Sequence, residues 1–177
     1  MRVFVLRYGH RPGRDKRVTT HTALVARAFG ANGFILGDVV DEGVYRVFRK
    51  VLDYWGGDLV FEMGVDSAEY CVNWRRNGGV VVHLTMYGIH IDDVIEEIRG
   101  LNKDILVVIG AKKVPRFFYE IADYNVAIGH QPHSEIAALA VFLDRLYQGR
   151  ELHFKFPGAK LEIIPSKRGK RIKRTPL

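Results

Sequence analysis

Three short stretches of the chain combine residue types able to hold a ligand. They are Thr85-Met86-Tyr87-Gly88, Gly110-Ala111-Lys112-Lys113, and Gly129-His130-Gln131-Pro132-His133, the last running on into Ser134 and Glu135. Each follows an apolar run of strand character: Val80–Leu84, Asp104–Ile109 and Tyr124–Ile128. A helical pattern follows each, so free N–H groups at the helix starts can hold a carboxylate or ribose oxygens. Any one of these loops alone reads equally well as a plain strand-to-helix turn. Three at neighbouring strand ends predict a pocket, because open parallel sheets bind ligands beyond the carboxyl ends of their strands.

Other familiar chemistries are missing. The chain has no GxxxxGK[ST] loop, no GxGxxG after Val3–Leu6, no GxSxG, no HExxH and no paired-cysteine zinc signature, which argues against the common nucleotide, hydrolase and zinc sites. His130 and His133 flank Pro132, and His10, His21, His83, His90 and His153 stand apart from any carboxylate pattern. No metal site is expected. The lone cysteine, Cys71, excludes an internal disulfide framework and fits a reducing cytoplasm. No apolar run reaches the roughly 18–20 residues of a membrane span, and the opening Val-Phe-Val-Leu reads as a strand rather than a leader. Scarce glutamine and plentiful Lys, Arg and Glu lean toward a heat-adapted source.

The formal charge of +7 is uneven. Lys167, Arg168, Lys170, Arg171, Lys173 and Arg174 crowd the end of the chain, and without them 21 basic residues face 20 acidic ones. A second cluster holds Arg7, Arg11, Arg14, Lys16 and Arg17 against Asp15 alone. Two basic clusters on a nearly neutral body point to a polyanion, RNA, as partner.

The elements that must position these groups follow from periodicity. Val3–Leu6 predicts a buried strand emptying into an irregular loop, Tyr8–Arg17, with Thr19 or Thr20 capping a helix whose apolar face is Leu24, Val25, Ala28 and Phe29. Phe34–Leu36 predicts a strand, and a helix starts near Asp41, with Val44, Val47, Phe48 and Val51 at helical spacing and a break over Asp53–Asp58. Leu59–Met63 is a further strand and Ser67–Arg76 a further helix. Ile91, Val94, Ile95 and Ile98 mark the next helix, Pro115 opens another, and Ser134 caps the last, whose stripe is Ile136, Leu139, Ala140, Leu143 and Leu146. Leu152–Phe156 and Lys160–Ile164 alternate about Pro157-Gly158-Ala159, predicting a β-hairpin. The fold class is therefore α/β, a parallel sheet with helices on both faces over residues 1–150, plus a C-terminal hairpin and basic tail over 151–177.

Four segments carry a resemblance to a known family: Arg7-Tyr-Gly-His-Arg-Pro-x-Arg-Asp-Lys-Arg-Val-Thr-Thr-His21, His83-Leu-Thr-Met-Tyr-Gly88, Val107-Val-Ile-Gly-Ala-Lys-Lys-Val-Pro115, and Ala122-Asp-Tyr-Asn-Val-Ala-Ile-Gly-His-Gln-Pro-His-Ser-Glu135. Together they resemble the archaeal tRNA cytidine ribose 2′-O-methyltransferases of the SPOUT superfamily, which act on a T-loop cytidine. The likeness spans nearly the whole chain. It implies a deep trefoil knot in the C-terminal part, which topology rules alone would not predict. It also implies a homodimer and S-adenosylmethionine held by Leu84, by Gly110, Ala111, Lys112, Lys113 and Val114, and by Ile128, Gly129, His130, Gln131, Pro132, His133, Ser134 and Glu135.

Methyl transfer to a ribose 2′-OH needs the oxygen made nucleophilic and in line with the sulfonium methyl. Related ribose methyltransferases use an arginine of the first helix, where this chain has Leu24. Arg14, Arg11 or Arg17 then takes the role, with His21 as a base of better-suited pKa and Arg14 favoured. RNA contacts are expected from Arg7, Arg11, Lys16 and Arg17 and from Lys167, Arg168, Lys170 and Arg171. The alternatives are a non-catalytic RNA-binding factor on the same fold and a nucleotide-dependent enzyme, the latter disfavoured by the missing P-loop.

Overall fold

Six strands align in one parallel sheet in the order β3-β2-β1-β5-β4-β6. They are β1 (Val3–Tyr8), β2 (Gly33–Gly37), β3 (Val60–Val65), β4 (Val80–His90), β5 (Ile105–Gly110) and β6 (Tyr124–Ala127). This is a computed structural model, and it describes residues 1–175. The central strands are built on apolar runs, Val3–Leu6, Val80–Val82 and Ile105–Ile109, with no polar face, as strands covered on both sides must be. Val3, Val5, Leu6, Leu106, Val107 and Val108 are inaccessible to solvent.

The helices α1 (Pro12–Ala28), α2 (Glu42–Trp55), α4 (Ile91–Gly100) and α6 (Glu135–Tyr147) pack on one face through Ala23, Phe48, Ile95 and Phe142. The other face is covered by α3 (Ser67–Arg76) and α5 (Arg116–Ile121) through Cys71 and Phe118. Each of the buried Phe and Ile side chains among these contributes about 1.5–3 kcal/mol relative to exposure. Burial pushes the Cys71 thiol up to about 12, so the one cysteine is packing rather than a nucleophile.

The sequence reading needs correction in four places. Residues 12–17 are helical, not irregular. Pro12 occupies the first helical turn, where its missing N–H costs nothing, and Asp15 accepts from the Arg11 N–H at 3.0 Å and from its guanidinium at 2.7 and 3.0 Å. Thr20 lies inside the helix instead of capping it, its hydroxyl donating to the Lys16 carbonyl at 2.8 Å. Second, α2 continues through Asp53 to Trp55.

Third, Thr85–Gly88 does not end β4. Leu84 and Ile89 both stand opposite Val126, so the four residues between them leave the ladder and the strand resumes to His90. Gly88 is what permits this, since a side chain there would run into the Asn125 and Val126 backbone. Fourth, the hairpin uses different partners. Residues Arg150–His153 form a 3₁₀ turn, and Leu161–Ile163 (β7) pairs antiparallel with Ile172–Arg174 (β8), inside the basic tail. The segment before it is tied down by Arg27, which donates to the Trp55 and Gly56 carbonyls at 2.7 and 2.8 Å and lies 4.1 Å from the Phe156 ring centre.

Candidate active site

The loops after β5 and β6 and the bulge of β4 enclose a cavity of about 400 Å³ at the carboxyl edge of the sheet. Ten of the residues expected to hold a ligand line it: Leu84, Gly110, Lys112, Lys113, Val114, Ile128, Gln131, Pro132, His133 and Glu135. Ala111, Gly129, His130 and Ser134 belong to the same loops but are not among the lining residues. The Ala111 N–H donates to the Tyr8 carbonyl at 2.8 Å. His130 Nδ1 donates to the Met86 carbonyl at 2.8 Å, tying the third loop to the β4 bulge. Gly129 turns the chain at φ 87°, and Ser134 caps α6 by accepting from the Ile136 N–H at 3.1 Å.

Sequence reasoning missed a polar lattice along one wall. His83, Thr85 and Tyr119 all line the cavity. His83 Nδ1 bonds the Asn125 side-chain oxygen at 2.9 Å, the Asn125 amide donates to the Tyr119 carbonyl at 2.8 Å, and the Tyr119 and Thr85 hydroxyls meet at 3.2 Å. Burial holds the His83 imidazole below its ordinary value, opposed by the Asn125 bond, so it is neutral at pH 7. One signal was available: His83 is the only polar residue in the otherwise apolar run Val80–Leu84.

Arg7 requires the plainest correction. Expected as a phosphate contact, it has no solvent exposure. Its guanidinium donates to Glu135 at 2.9 Å and to the Thr19 hydroxyl at 2.7 Å. Thr19 also meets His10 Nδ1 at 2.7 Å, and His10 Nε2 bonds Asp41 at 2.9 Å. Asp41 in turn caps α2 by accepting from Gly43 and Val44. Part of the expected RNA cluster is therefore a buried network linking the cavity wall to two helix starts.

The remaining basic residues do face solvent. Arg14, Lys16, Arg17 and His21 are exposed on α1. Arg11 differs: it is paired with Asp15 and also donates to the Ala111 carbonyl at 3.2 Å. The Asp15 bond raises the Arg11 pKa and lowers that of Asp15, so Arg11 is the least suited of the candidates to accept a proton. Lys167, Arg168, Lys170 and Arg171 are exposed in the connection between β7 and β8. Among the described residues no three His, Cys, Asp or Glu side chains cluster as a metal site, and no helix is long and apolar enough to cross a membrane.

The family model described as tRNA ribose 2'-O-methyltransferase, aTrm56, matches residues 55–173. The chain belongs to this family. It is 71% identical over 174 residues to the tRNA (cytidine(56)-2'-O)-methyltransferase of Staphylothermus marinus, covering 98% of this chain and 94% of that protein. The protein of that name from Pyrococcus horikoshii is 54% identical, over 96% of this chain and 84% of its own. Solved structures share the fold at low identity. The SpoU methyltransferase AviRb of Streptomyces viridochromogenes in complex with AdoMet superposes with TM-score 0.59 at 19% identity over 84% of this chain. An RNA 2'-O ribose methyltransferase gives 0.62 at 16% over 84%. This chain spans little more than half the length of those two structures, 57% and 56%. The SPOUT-type α/β fold expected from sequence is thus what the sheet and its neighbours show.

Proposed function

We propose that the chain transfers a methyl group from S-adenosylmethionine to the 2′-OH of a tRNA cytidine, the position 56 named for its relatives. The observation that carries this is the strand-end cavity, built from the residues of the resemblance in a chain 71% identical to a curated enzyme of that activity. The cavity suits the donor. Its volume of about 400 Å³ lies within the roughly 300–1,000 Å³ usual for small-molecule sites. Leu84, Ile109, Val114 and Ile128 supply apolar walls for a nucleobase, and Gln131, His133 and Glu135 supply polar groups. The ten loop and strand-end residues that line the cavity would hold the molecule. When bound, it supplies a methyl on a sulfonium, which leaves as a neutral thioether. Transfer would form the O–C bond as the C–S bond breaks, with the 2′-OH proton passing to a base of this chain.

Arg14 is the favoured group at the 2′-OH, being exposed and free of any acidic partner among the described residues, with Arg17 and His21 beside it on α1. An arginine acts there by orienting the hydroxyl and balancing charge more readily than by losing its own proton. Arg14→Ala is expected to lower kcat at least tenfold while tRNA affinity falls much less. Equal losses in steady-state rate and in filter binding would make Arg14 a phosphate contact only.

Lys167, Arg168, Lys170 and Arg171 are assigned to the RNA backbone. Replacing Lys167, Arg168 and Lys170 with alanine should flatten the salt dependence of tRNA binding by about one unit of log–log slope per lost contact, leaving cofactor affinity unchanged. An unaltered slope would remove the tail from the interface.

The same reading includes a homodimer, a knotted C-terminal part and a cytoplasmic site of action. Support for the dimer is a shallow, largely apolar dent lined by His21, Leu24, Val25 and Ala28 of α1 with Ile136 of α6. The test of function is incubation with radiolabelled S-adenosylmethionine and unmodified tRNA, followed by mapping of the labelled nucleotide. Label at the ribose 2′-oxygen of the cytidine is expected. Saturable RNA binding with no transfer would favour the non-catalytic alternative.

A further inference from the structure

A second cavity, about 520 Å³, opens where β1, β2 and β3 end, on the far side of the β1–β5 switch from the first. Tyr8, Asp38, Ser67, Lys112, Phe117 and Phe118 are among its lining residues. We propose that it receives an unstacked base of the tRNA substrate, packed against Phe117. This rests on the methyltransferase reading and adds to it a nucleobase subsite separate from the donor pocket.

Four observations lead there. Phe117 is 36% exposed although large and apolar, and it is backed edge-on by Phe118, 5.3 Å between ring centres. Phe118 in turn packs against Tyr8 at 4.8 Å, so the cavity has an aromatic wall braced from behind. Asp38, held at φ 66°, anchors its carboxylate on the Ser67 N–H and hydroxyl at 2.9 and 2.6 Å. Each oxygen keeps a second lone pair for an exocyclic amino group of the kind cytosine presents. Lys112 lines both cavities. Its stem lies over Gly9, where a Cβ would come within 2.8 Å of Cγ, and its ammonium sits 5.9 Å from the Tyr8 ring centre.

The chemistry of the reaction supplies the occupant. A ribose 2′-OH inside a folded tRNA reaches a donor pocket only if its nucleotide, or the one beside it, leaves the base stack. The displaced base then needs an aromatic platform. A lysine between the two cavities is placed for the phosphate joining the nucleotides that occupy them.

Two measurements decide it. In the first, Phe117→Ala should raise KM for tRNA roughly tenfold or more, as losing one base–aromatic stack does, with the S-adenosylmethionine dissociation constant unchanged and Phe117→Tyr restoring KM. An unchanged tRNA KM overturns the proposal. In the second, a tRNA carrying 4-thiouridine in its T loop is photo-crosslinked to the full-length protein with S-adenosylhomocysteine present. Crosslinks to residues 8–10, 37–39 or 115–118 support the subsite, and crosslinks confined to other peptides overturn it. If the unsubstituted protein transfers no label to tRNA, the methyltransferase reading fails, and the crosslink map still decides whether this cavity holds a base.

Discussion

Glu135→Ala is expected to destabilise the protein by about 3–5 kcal/mol, the usual result of stripping one partner from a buried ion pair. For a chain of this size that is a fall in Tm of roughly 10 °C. The reason is asymmetric burial. The Arg7 side chain is 1% exposed whereas that of Glu135 is 27% exposed, and one Arg7 nitrogen, Nη1, already lacks a partner. Removing Glu135 therefore leaves a guanidinium that is 1% exposed without its carboxylate. Removing Arg7 leaves a carboxylate that water can reach, so Arg7→Met should cost much less, about 1–2 kcal/mol. Arg7→Met combined with Glu135→Ala should then resemble Arg7→Met alone. Guanidinium denaturation of the three variants checks this, and equal losses in the two single variants would show that the pair is not an isolated buried charge. Because Glu135 also lines the donor cavity, added S-adenosylmethionine should raise the stability of the native protein more than that of Glu135→Ala.

Gly110→Ala should weaken S-adenosylmethionine binding by about tenfold to a hundredfold, with a loss of stability of about 1–3 kcal/mol, the range for overpacking a fitted site. A Cβ there would lie 2.8 Å from the Lys112 carbonyl oxygen and run into a Val114 methyl. The loop cannot simply step aside. The Ala111 N–H is held by the Tyr8 carbonyl at 2.8 Å and its carbonyl by Arg11 at 3.2 Å. Gly129 makes the contrast. Its φ is 87° and a Cβ would meet nothing within 4 Å, so Gly129→Ala costs only the backbone penalty of a left-handed residue, about 1–2 kcal/mol, and cofactor affinity should change little. Isothermal titration of both variants separates the two. Equal affinities would mean that the second loop does not touch the donor.

Local patterning settled more of this protein than its interior contacts did. The strands were legible because a strand buried on both faces must be largely aliphatic, as Val80–Val82 and Ile105–Ile109 are. The start of α6 was legible from capping chemistry, since Ser134, the side chain that announces the cap, is the one that makes it, whereas the Asp41 and Asp66 caps emerged only in the structure. The donor loops followed from both, as the ends of those strands.

The misses share a cause, which is that a residue's partner can lie far along the chain. Arg7 looked like a phosphate ligand because its sequence neighbours are basic, yet Glu135, 128 residues away, claims it. Leu161–Ile163 alternates as half a hairpin, but its mate is the tail strand rather than the nearer Leu152–Phe156. The four-residue bulge in β4 exists only because β6 supplies Val126 to both its ends. Sequence by itself determined most of the strands and helices and where the cavity loops fall, since propensity, capping and burial act within a few residues. Tertiary structure decided which charges are buried, which strands pair and where the second cavity opens, because those depend on what the folded chain brings alongside.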